Sequence, residues 1–428
     1  MSSEQVNIPA ADETNPIPIP NLLQQERRFV LNQSNCSALH QQAAEELLQG
    51  IIQDGQPSSS VAQYLKMPAS VPPFFFFAEM GPFLETILKS DSSTISATFQ
   101  KLLPSHLVGE LSSKNKERIE SIQTKLNDAI ENLGETEVSD LLRTKALYLS
   151  KIGAEKELSV AAFEEALKKQ AGLGSKIDLR LGLIRVGFFH GDHQLIMDQI
   201  VEAKQLVDSG GDWDRRNRLK VYQAMNFMAV RNFKEATPLL LDTLSTFTAT
   251  ELLSYEDFIT LAAISAALTL ERKDMKKKLI ESPEVIQIIP ERPHLHAMVC
   301  AIHNTEYDKF FVELAKVEQT YLLPSRWLSI HARYYVREMR IKAYSQLLES
   351  YRSVSIKSMA QAFGVTEDYI DSELARFIAA GRLNCAIDKV NGIVETKRAD
   401  GKNAMYSSVL KNGDALLNSI QKLSRVIG

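Results

Sequence analysis

The chain contains 428 residues, of which 44% are hydrophobic and 24% charged, and its formal net charge is −4. Glycine and proline are scarce, at 19 and 15 residues, which favours a helix-rich protein over a β-sandwich or barrel. The balanced charge argues against a general nucleic-acid binder or a membrane-surface protein. The three dispersed cysteines, Cys36, Cys300 and Cys385, indicate neither a disulfide framework nor a zinc module. Because no basic-then-apolar signal segment opens the sequence, we expect a protein of the cytoplasm and nucleus.

The first third of the chain is irregular. Residues 1–30 are predicted to be a disordered tail, and residues 31–134 an N-terminal helical region interrupted by an irregular stretch at 66–100. That stretch contains four consecutive phenylalanines, Phe74 to Phe77, which we interpret as part of a buried or partly ordered linker, with an apolar docking peptide as the alternative. From Lys114 to Leu133 the spacing predicts a helix with a narrow apolar stripe, formed by Ile119, Ile122, Leu126, Ile130 and Leu133.

An internal repeat follows. Short polar turns, marked by Gly153, Gly191, Asn232 and Lys273, separate amphipathic segments at steps of about 40 residues, as expected of stacked helix pairs. A single pair cannot bury its apolar face, so residues 135–325 are predicted to form a right-handed, tetratricopeptide-like (TPR-like) helical solenoid. Pro238 is anomalous, because a helix should be running there and proline is well tolerated only in a first turn.

The pattern changes in the region 326–400. A long helix from Trp327 to Tyr351 is followed by a short helix capped by Ser355 and closed by Gly364, and by a second helix capped by Thr366 and closed by Gly381. Two strand-like runs, residues 383–387 and 393–396, flank an Asn-Gly hairpin signal. This order predicts a winged helix.

The last segment, 401–428, is predicted to be one more helix. Apolar or small residues recur at steps of four and three, a seam suited to a helix bundle or coiled coil: Val409, Gly413, Leu416, Ile420, Leu423 and Ile427.

Few residues suggest chemistry. The second winged-helix segment carries four acids against Arg376, which argues against DNA binding and favours protein contact. His294 and His296 lack the further ligands of a metallo-isopeptidase motif, so we expect no metal, no cofactor and no catalytic site.

The densest charge cluster runs from Gly210 to Lys220. Asp212 is predicted to cap a helix there, with i,i+4 pairs joining Asp212 to Arg216 and Asp214 to Arg218, and a contact between repeats or with another subunit is the alternative.

Three stretches carry a family resemblance: GGDWDRRNRLKVY at 210–222, RYYVREMRIKAYSQLLESY at 333–351 and FIAAGRLNCAIDKVNGIVET at 377–396. They are similar to the non-ATPase subunit 6 family of the 26S proteasome lid (lid subunit seven in yeast-style naming), whose C-terminal module is the PCI domain. The resemblance implies a mainly α fold and a non-catalytic scaffold in a hetero-oligomer. Its implied partners are the other PCI subunits of the lid, the lid deubiquitinase subunits, the ATPase ring and the core particle, with no nucleic acid and no membrane.

The same resemblance implies two contact regions, one on the hairpin and one on the last helix. The expected inter-subunit residues are Asn384, Cys385, Ala386, Ile387, Ile393, Val394, Glu395, Thr396, Val409, Leu416, Ile420, Leu423 and Ile427. Two alternatives stay open: a scaffold like the first subunit of the signalosome, which has the same architecture, and a nucleic-acid-binding winged-helix protein.

Overall fold

The computed structural model describes residues 19–33, 39–40, 42–43, 46, 82–83, 85, 107–132, 134–288, 290–396 and 401–427. Phe74 to Phe77 and most of the 66–100 stretch lie outside the described residues, as does the predicted tail before residue 19. The chain divides into two compact units, residues 1–296 with 316–333, and residues 297–315 with 334–428. Part of the predicted 135–325 solenoid therefore groups with the C-terminal unit.

The described residues are mainly α-helical, with one small sheet. The helices before residue 290 are α1 (Leu22–Asn32), α2 (Leu107–Asn132), α3 (Glu135–Lys151), α4 (Lys156–Lys169), α5 (Leu173–His190), α6 (His193–Asp208), α7 (Trp213–Ala229), α8 (Phe233–Asp242), α9 (Tyr255–Thr269), α10 (Arg272–Met275) and α11 (Pro283–Ile288). After them come α12 (Pro293–Asn304), α13 (Tyr307–Val317), α14 (Ala332–Ser350), β1 (Ser353–Ser355), α15 (Ile356–Phe363), α16 (Glu367–Ala379), β2 (Cys385–Asp388), β3 (Ile393–Thr396) and α17 (Gly401–Ile427).

Helix α1 lies within the segment predicted to be a disordered tail, so that prediction is wrong for residues 22–30. Asn21 caps the helix, its side chain accepting a hydrogen bond from the Leu23 amide at 3.1 Å. Val30 and Leu31 are buried, and α1 packs on α5. The segment is rich in Gln, Glu and Arg, so its order depends on this tertiary contact, which local composition does not reveal.

Consecutive helices pack as pairs in the first unit: α3 with α4, α5 with α6, and α7 with α8. Each pair also contacts the next, which confirms the predicted helical repeats. Gly153 and Gly191 have positive φ angles of 67° and 76° at the turns where the sequence placed them, and Asn232 caps α8. Lys273 is inside α10 instead, so the fourth turn falls two residues earlier.

The core of the first repeats contains Ile122 and Leu126 of the predicted α2 stripe, with Ile119 packed against it. Ile130 is exposed, so the stripe is shorter than predicted. Helix α9 is buried on all sides from Phe258 to Ala267, which explains the most apolar run of the sequence. No helix among the described residues combines the length and the apolar character needed to cross a membrane.

Pro238 is in the second turn of α8, past the position where the sequence analysis allowed it. The helix continues through it to Asp242. The neighbouring Thr237 is buried, and its hydroxyl donates to the Phe233 carbonyl at 2.8 Å and is 2.7 Å from the Thr269 hydroxyl of α9. Helix α8 therefore packs against α9 directly beside Pro238, a residue that an isolated helix would tolerate poorly at this position.

The second unit contains the winged helix. The Ser355 hydroxyl accepts from the Ser358 amide at 3.1 Å, and Gly364 closes α15 in the left-handed conformation, which confirms both predicted caps. Thr366 precedes α16 but its side chain makes no cap hydrogen bond. Helix α14 starts at Ala332 after a 3₁₀ turn at Ser329–His331, five residues later than predicted.

An aromatic cluster holds this unit together. Rings of α13, α14 and α15 stack or tilt against one another at centroid distances of 4.7 to 5.9 Å, contributed by Tyr307, Phe311, Tyr344 and Phe363. Such contacts bury large apolar areas and fix the angle between the helices.

Candidate interaction surfaces

The predicted seam of α17 lies on an exposed face. Val409, Leu416, Ile420 and Leu423 are each more than half exposed, and Ile427 is the last residue of the helix. Fully burying one such side chain contributes roughly 1.5–3 kcal/mol. A repeated apolar seam left in water is therefore typical of a helix that packs against another helix.

Sequence reasoning missed part of this face. Four further apolar residues of α17 are more than half exposed: Met405, Tyr406, Leu410 and Leu417. At 100° per residue, Tyr406, Leu410 and Leu417 widen the stripe on one side, and Met405 lies in line with the seam. We define the apolar stripe of α17 as these four residues with Val409, Leu416, Ile420 and Leu423.

The wing is a three-stranded antiparallel sheet in the order β1–β3–β2. Val354 of β1 is opposite Val394, which in turn is opposite Ile387 of β2. Strand β1 therefore covers one edge of the hairpin, the edge formed by β3, and β2 forms the other edge. Ser-Val-Ser is too short and too polar a segment to be predicted as a strand.

The hairpin residues differ in exposure. Cys385 and Val394 are buried in the core of the unit, so their side chains are not on the surface of the chain by itself. Asn384 and Glu395 are exposed. The remaining predicted residues are partly buried: Ala386, Ile387, Ile393 and Thr396.

The hairpin turn is rigidly built. Asp388 accepts hydrogen bonds from the amides of Val390 and Asn391 at 3.0 and 3.3 Å and from the Asn391 side chain at 2.7 Å. The Asn391 side chain contributes most to lowering the pKa of Asp388. Gly392 has a φ of 62°, as the Asn-Gly signal predicts. Val390, at the tip, is 94% exposed.

The acids of α16 do not act as one charged face. Glu373 is buried, with its carboxylate 2.8 Å from Arg340 and 2.7 Å from the Tyr344 hydroxyl. Burial, and then the Glu373 charge, raise the pKa of Tyr344. Asp371 pairs with Lys389 at 3.0 Å. Only Glu367 and Asp368, of the four acids, are exposed.

The 210–220 cluster joins two repeats. The Arg215 guanidinium donates to both oxygens of Asp178 on α5, at 3.0 and 2.9 Å, and also pairs with Asp212. The bond to Asp178 is the largest contribution that raises the pKa of Arg215. Asp214 pairs with Arg218 at 2.6 Å as predicted.

The predicted Asp212–Arg216 pair is wrong, because Arg215 takes the Asp212 carboxylate. Asp212 occupies the N-cap position of α7, although its side chain makes no cap hydrogen bond. The cluster is therefore an internal contact between α5 and α7.

His294 and His296 are in the first turn of α12. Within the part of the chain that the structure describes, no group of three or more His, Cys, Asp or Glu side chains is placed to hold a metal ion.

Stacked helix pairs, a winged helix and a terminal helix with an exposed apolar stripe define a PCI-domain protein, and residues 307–398 match the PCI domain family. Two further families match, described as 26S proteasome subunit RPN7 over residues 105–278 and as the 26S proteasome regulatory subunit RPN7/PSMD6 C-terminal helix over residues 405–427. The chain belongs to the family of 26S proteasome non-ATPase regulatory subunit 6.

Curated relatives agree with this assignment. The 26S proteasome non-ATPase regulatory subunit 6 of Dictyostelium discoideum is 43% identical over 321 residues, covering 75% of this chain and 84% of that protein. The protein of the same name from Oryza sativa subsp. japonica is 45% identical, covering 75% and 82%. The 26S proteasome regulatory subunit RPN7 of Saccharomyces cerevisiae is 37% identical over 418 residues, covering 96% and 94%.

Proposed function

We propose that the chain is a non-catalytic scaffold subunit of the 26S proteasome regulatory particle lid. In this role it supports ATP-dependent degradation of ubiquitinated proteins through lid assembly and docking. The observation that carries the proposal is the apolar stripe of α17, which lies in a segment matched by the family's own C-terminal helix.

The stripe supports assembly by a physical argument. Eight apolar side chains on one helix, each more than half exposed, cost free energy in water and return it when a neighbouring helix covers them. The steps of four and three favour a partner that is itself helical. Val409, Leu416, Ile420, Leu423 and Ile427 are the proposed contacts.

The wing supplies the second proposed contact. Strand β2 is at the edge of the sheet, because among the described strands it pairs with β3 alone. An edge strand can extend a sheet by pairing with a strand of another chain. The proposed contact residues are those not buried: Asn384, Ala386, Ile387, Ile393, Glu395 and Thr396.

The proposed partners follow from the family. They are the other PCI subunits and the deubiquitinase subunits of the lid, the ATPase ring and the core particle, in the cytoplasm and nucleus. The signalosome alternative loses support, since the matched relatives bear proteasome names.

Neither α16 nor the 210–220 cluster supports nucleic-acid binding or catalysis. Glu367 and Asp368 are exposed at the start of α16, where they would repel a phosphate backbone. In the 210–220 cluster, Arg215 forms an ion pair with Asp178 of α5 and Arg218 forms one with Asp214 within α7, which leaves these charges unsuited to substrate chemistry.

Affinity purification of the tagged chain from its own cells, followed by mass spectrometry, tests the proposal. We expect lid, ATPase and core-particle subunits in stoichiometric amounts. Recovery of signalosome subunits would replace the proposal by its alternative, and recovery of no proteasome subunit would exclude it.

A further inference from the structure

A cavity of about 320 Å³ lies between α1 and the helices of the first unit. Leu23, Glu26 and Arg27 line it from α1, and Asp257 lines it from the first turn of α9. Two carboxyl groups on different elements therefore line the same partly open cavity. Like charges in such a place repel more strongly than at the surface.

The carboxylate of Asp257 has hydrogen-bond partners on both oxygens. The Ser254 hydroxyl donates to its carboxylate at 2.7 Å, and Arg292 donates to the other oxygen at 3.0 Å. The Asp257 amide in turn donates to the Ser254 hydroxyl at 3.2 Å, so Ser254 caps the positive end of α9.

Glu26 has no comparable support. Among the described residues, no hydrogen bond or ion pair reaches its carboxyl group. Desolvation in the cavity, followed by the charge of Asp257, raises the pKa of Glu26 to about 7, while Arg326 and Arg27 oppose the change. Glu26 therefore takes a proton at a higher pH than a carboxyl group in water does.

The cations around Glu26 have other partners. Arg27 pairs with Glu46 at 3.3 Å, and the Arg28 guanidinium is 5.7 Å from the centre of the Phe83 ring. Arg292 bonds to Asp257 and lies over the Tyr321 ring. Arg326 bonds to backbone carbonyl groups of α5. No described cation is thus free to neutralise an ionised Glu26 without giving up a contact.

We propose that α1 is a pH-dependent latch. It docks firmly on the rest of the first unit when Glu26 is protonated, and it loosens when Glu26 is ionised. Undocking returns the carboxyl to water, where its pKa is near the ordinary value of 4.5. Between pH 4.5 and 7 the docked state therefore binds more protons than the undocked state. Docking is strongest below pH 4.5, weakens as the pH rises from 4.5 to 7, and changes little above that. The difference between these two pKa values of Glu26 corresponds to a change of up to about 300-fold in the docking equilibrium.

Hydrogen exchange of the full chain tests the latch. Mass spectrometry measures the protection factors of residues 22–32 between pH 5 and 8. Each factor is calculated relative to the exchange rate of an unstructured peptide at the same pH. In the unmodified chain we expect protection to fall at least tenfold. In Glu26→Gln, which stays neutral, we expect protection that is flat with pH and, at pH 7.5, higher than that of the unmodified chain.

Glu235→Gln is the matched control, because it removes one carboxyl group at an exposed position of α8 that does not line the cavity. It should retain the fall of the unmodified chain. Trp327 also lines the cavity, and in a Trp213→Phe chain its fluorescence gives a second readout, since the sequence has two tryptophans. Protection that is constant with pH in the unmodified chain, or that falls equally in Glu26→Gln, would overturn the proposal.

Discussion

Arg326 donates hydrogen bonds to the carbonyl oxygens of Phe188 at 3.0 Å and of the next residue, Phe189, at 3.2 Å, across 138 positions of sequence. These carbonyl groups belong to the last turn of α5, where a helix has unsatisfied acceptors and a partial negative charge. The guanidinium also lies 5.1 Å from the centre of the Trp327 ring. Five residues on, a ring nitrogen of His331 is 2.9 Å from the Ala229 carbonyl at the end of α7. The segment 326–331 thus caps two successive repeats of the solenoid.

Arg326→Ala should destabilise the first unit by about 2–3 kcal/mol. It removes a charged donor from two carbonyl groups and leaves them partly buried without it. Urea unfolding followed by circular dichroism measures the loss. Arg272→Ala, at an exposed position in a short helix, should change the free energy of unfolding by less than about 0.5 kcal/mol. Equal effects of the two changes would contradict this role for Arg326.

Gly364→Ala should destabilise the winged helix by about 1–2 kcal/mol. Gly364 has a φ of 67°, and a side chain there places Cβ against the backbone even where space is open.

Gly413→Ala is the control for Gly364→Ala, because here alanine should stabilise a helix rather than destabilise it. Gly413 is inside α17, and nothing lies within 4 Å of where its Cβ would be, so alanine should raise the helicity of α17 in the isolated chain. Hydrogen exchange of both variants gives the comparison. A gain in stability at Gly364, or a loss of helicity at Gly413, would contradict the expectation.

Glu373→Ala should destabilise the second unit by about 3 kcal/mol. The change leaves the Arg340 guanidinium and the Tyr344 hydroxyl without the buried carboxylate that they share, and an uncompensated buried group is costly. Thermal unfolding by calorimetry measures it. Arg376→Ala, at an exposed position of the same helix, should be nearly neutral. A neutral result at Glu373 would show that the pair adds little.

Features set by a few neighbouring residues could be predicted from the sequence. Ser355 and Gly364 cap α15 as expected, and Asn391 with Gly392 forms the hairpin turn, because caps and tight turns depend on local backbone conformation. The seam of α17 was equally visible, since its period is fixed by helix geometry. The helical repeats followed from turns spaced about 40 residues apart.

Features that depend on distant residues could not be predicted. Strand β1 exists because Val394 is opposite Val354, and three residues give no strand signal by themselves. Arg215 binds Asp178, which is 37 positions away, and also Asp212. The i,i+4 rule therefore assigned the wrong arginine to Asp212. In the same way α1 is ordered by its contact with α5, and Arg326 and Glu26 acquire their roles only when the helices stack.

The most direct test of the scaffold role is incorporation of a seam variant into the complex. Leu416→Asp combined with Ile420→Asp places two charges in the stripe, where desolvation would cost several kcal/mol on assembly. Ser407→Asp combined with Asn418→Asp adds the same charge to the opposite face of α17. After affinity purification, we expect the first variant to recover no lid subunits and the second to recover them normally. Normal co-purification of the Leu416/Ile420 variant, with α17 still helical, would contradict the assignment of the stripe as the assembly contact.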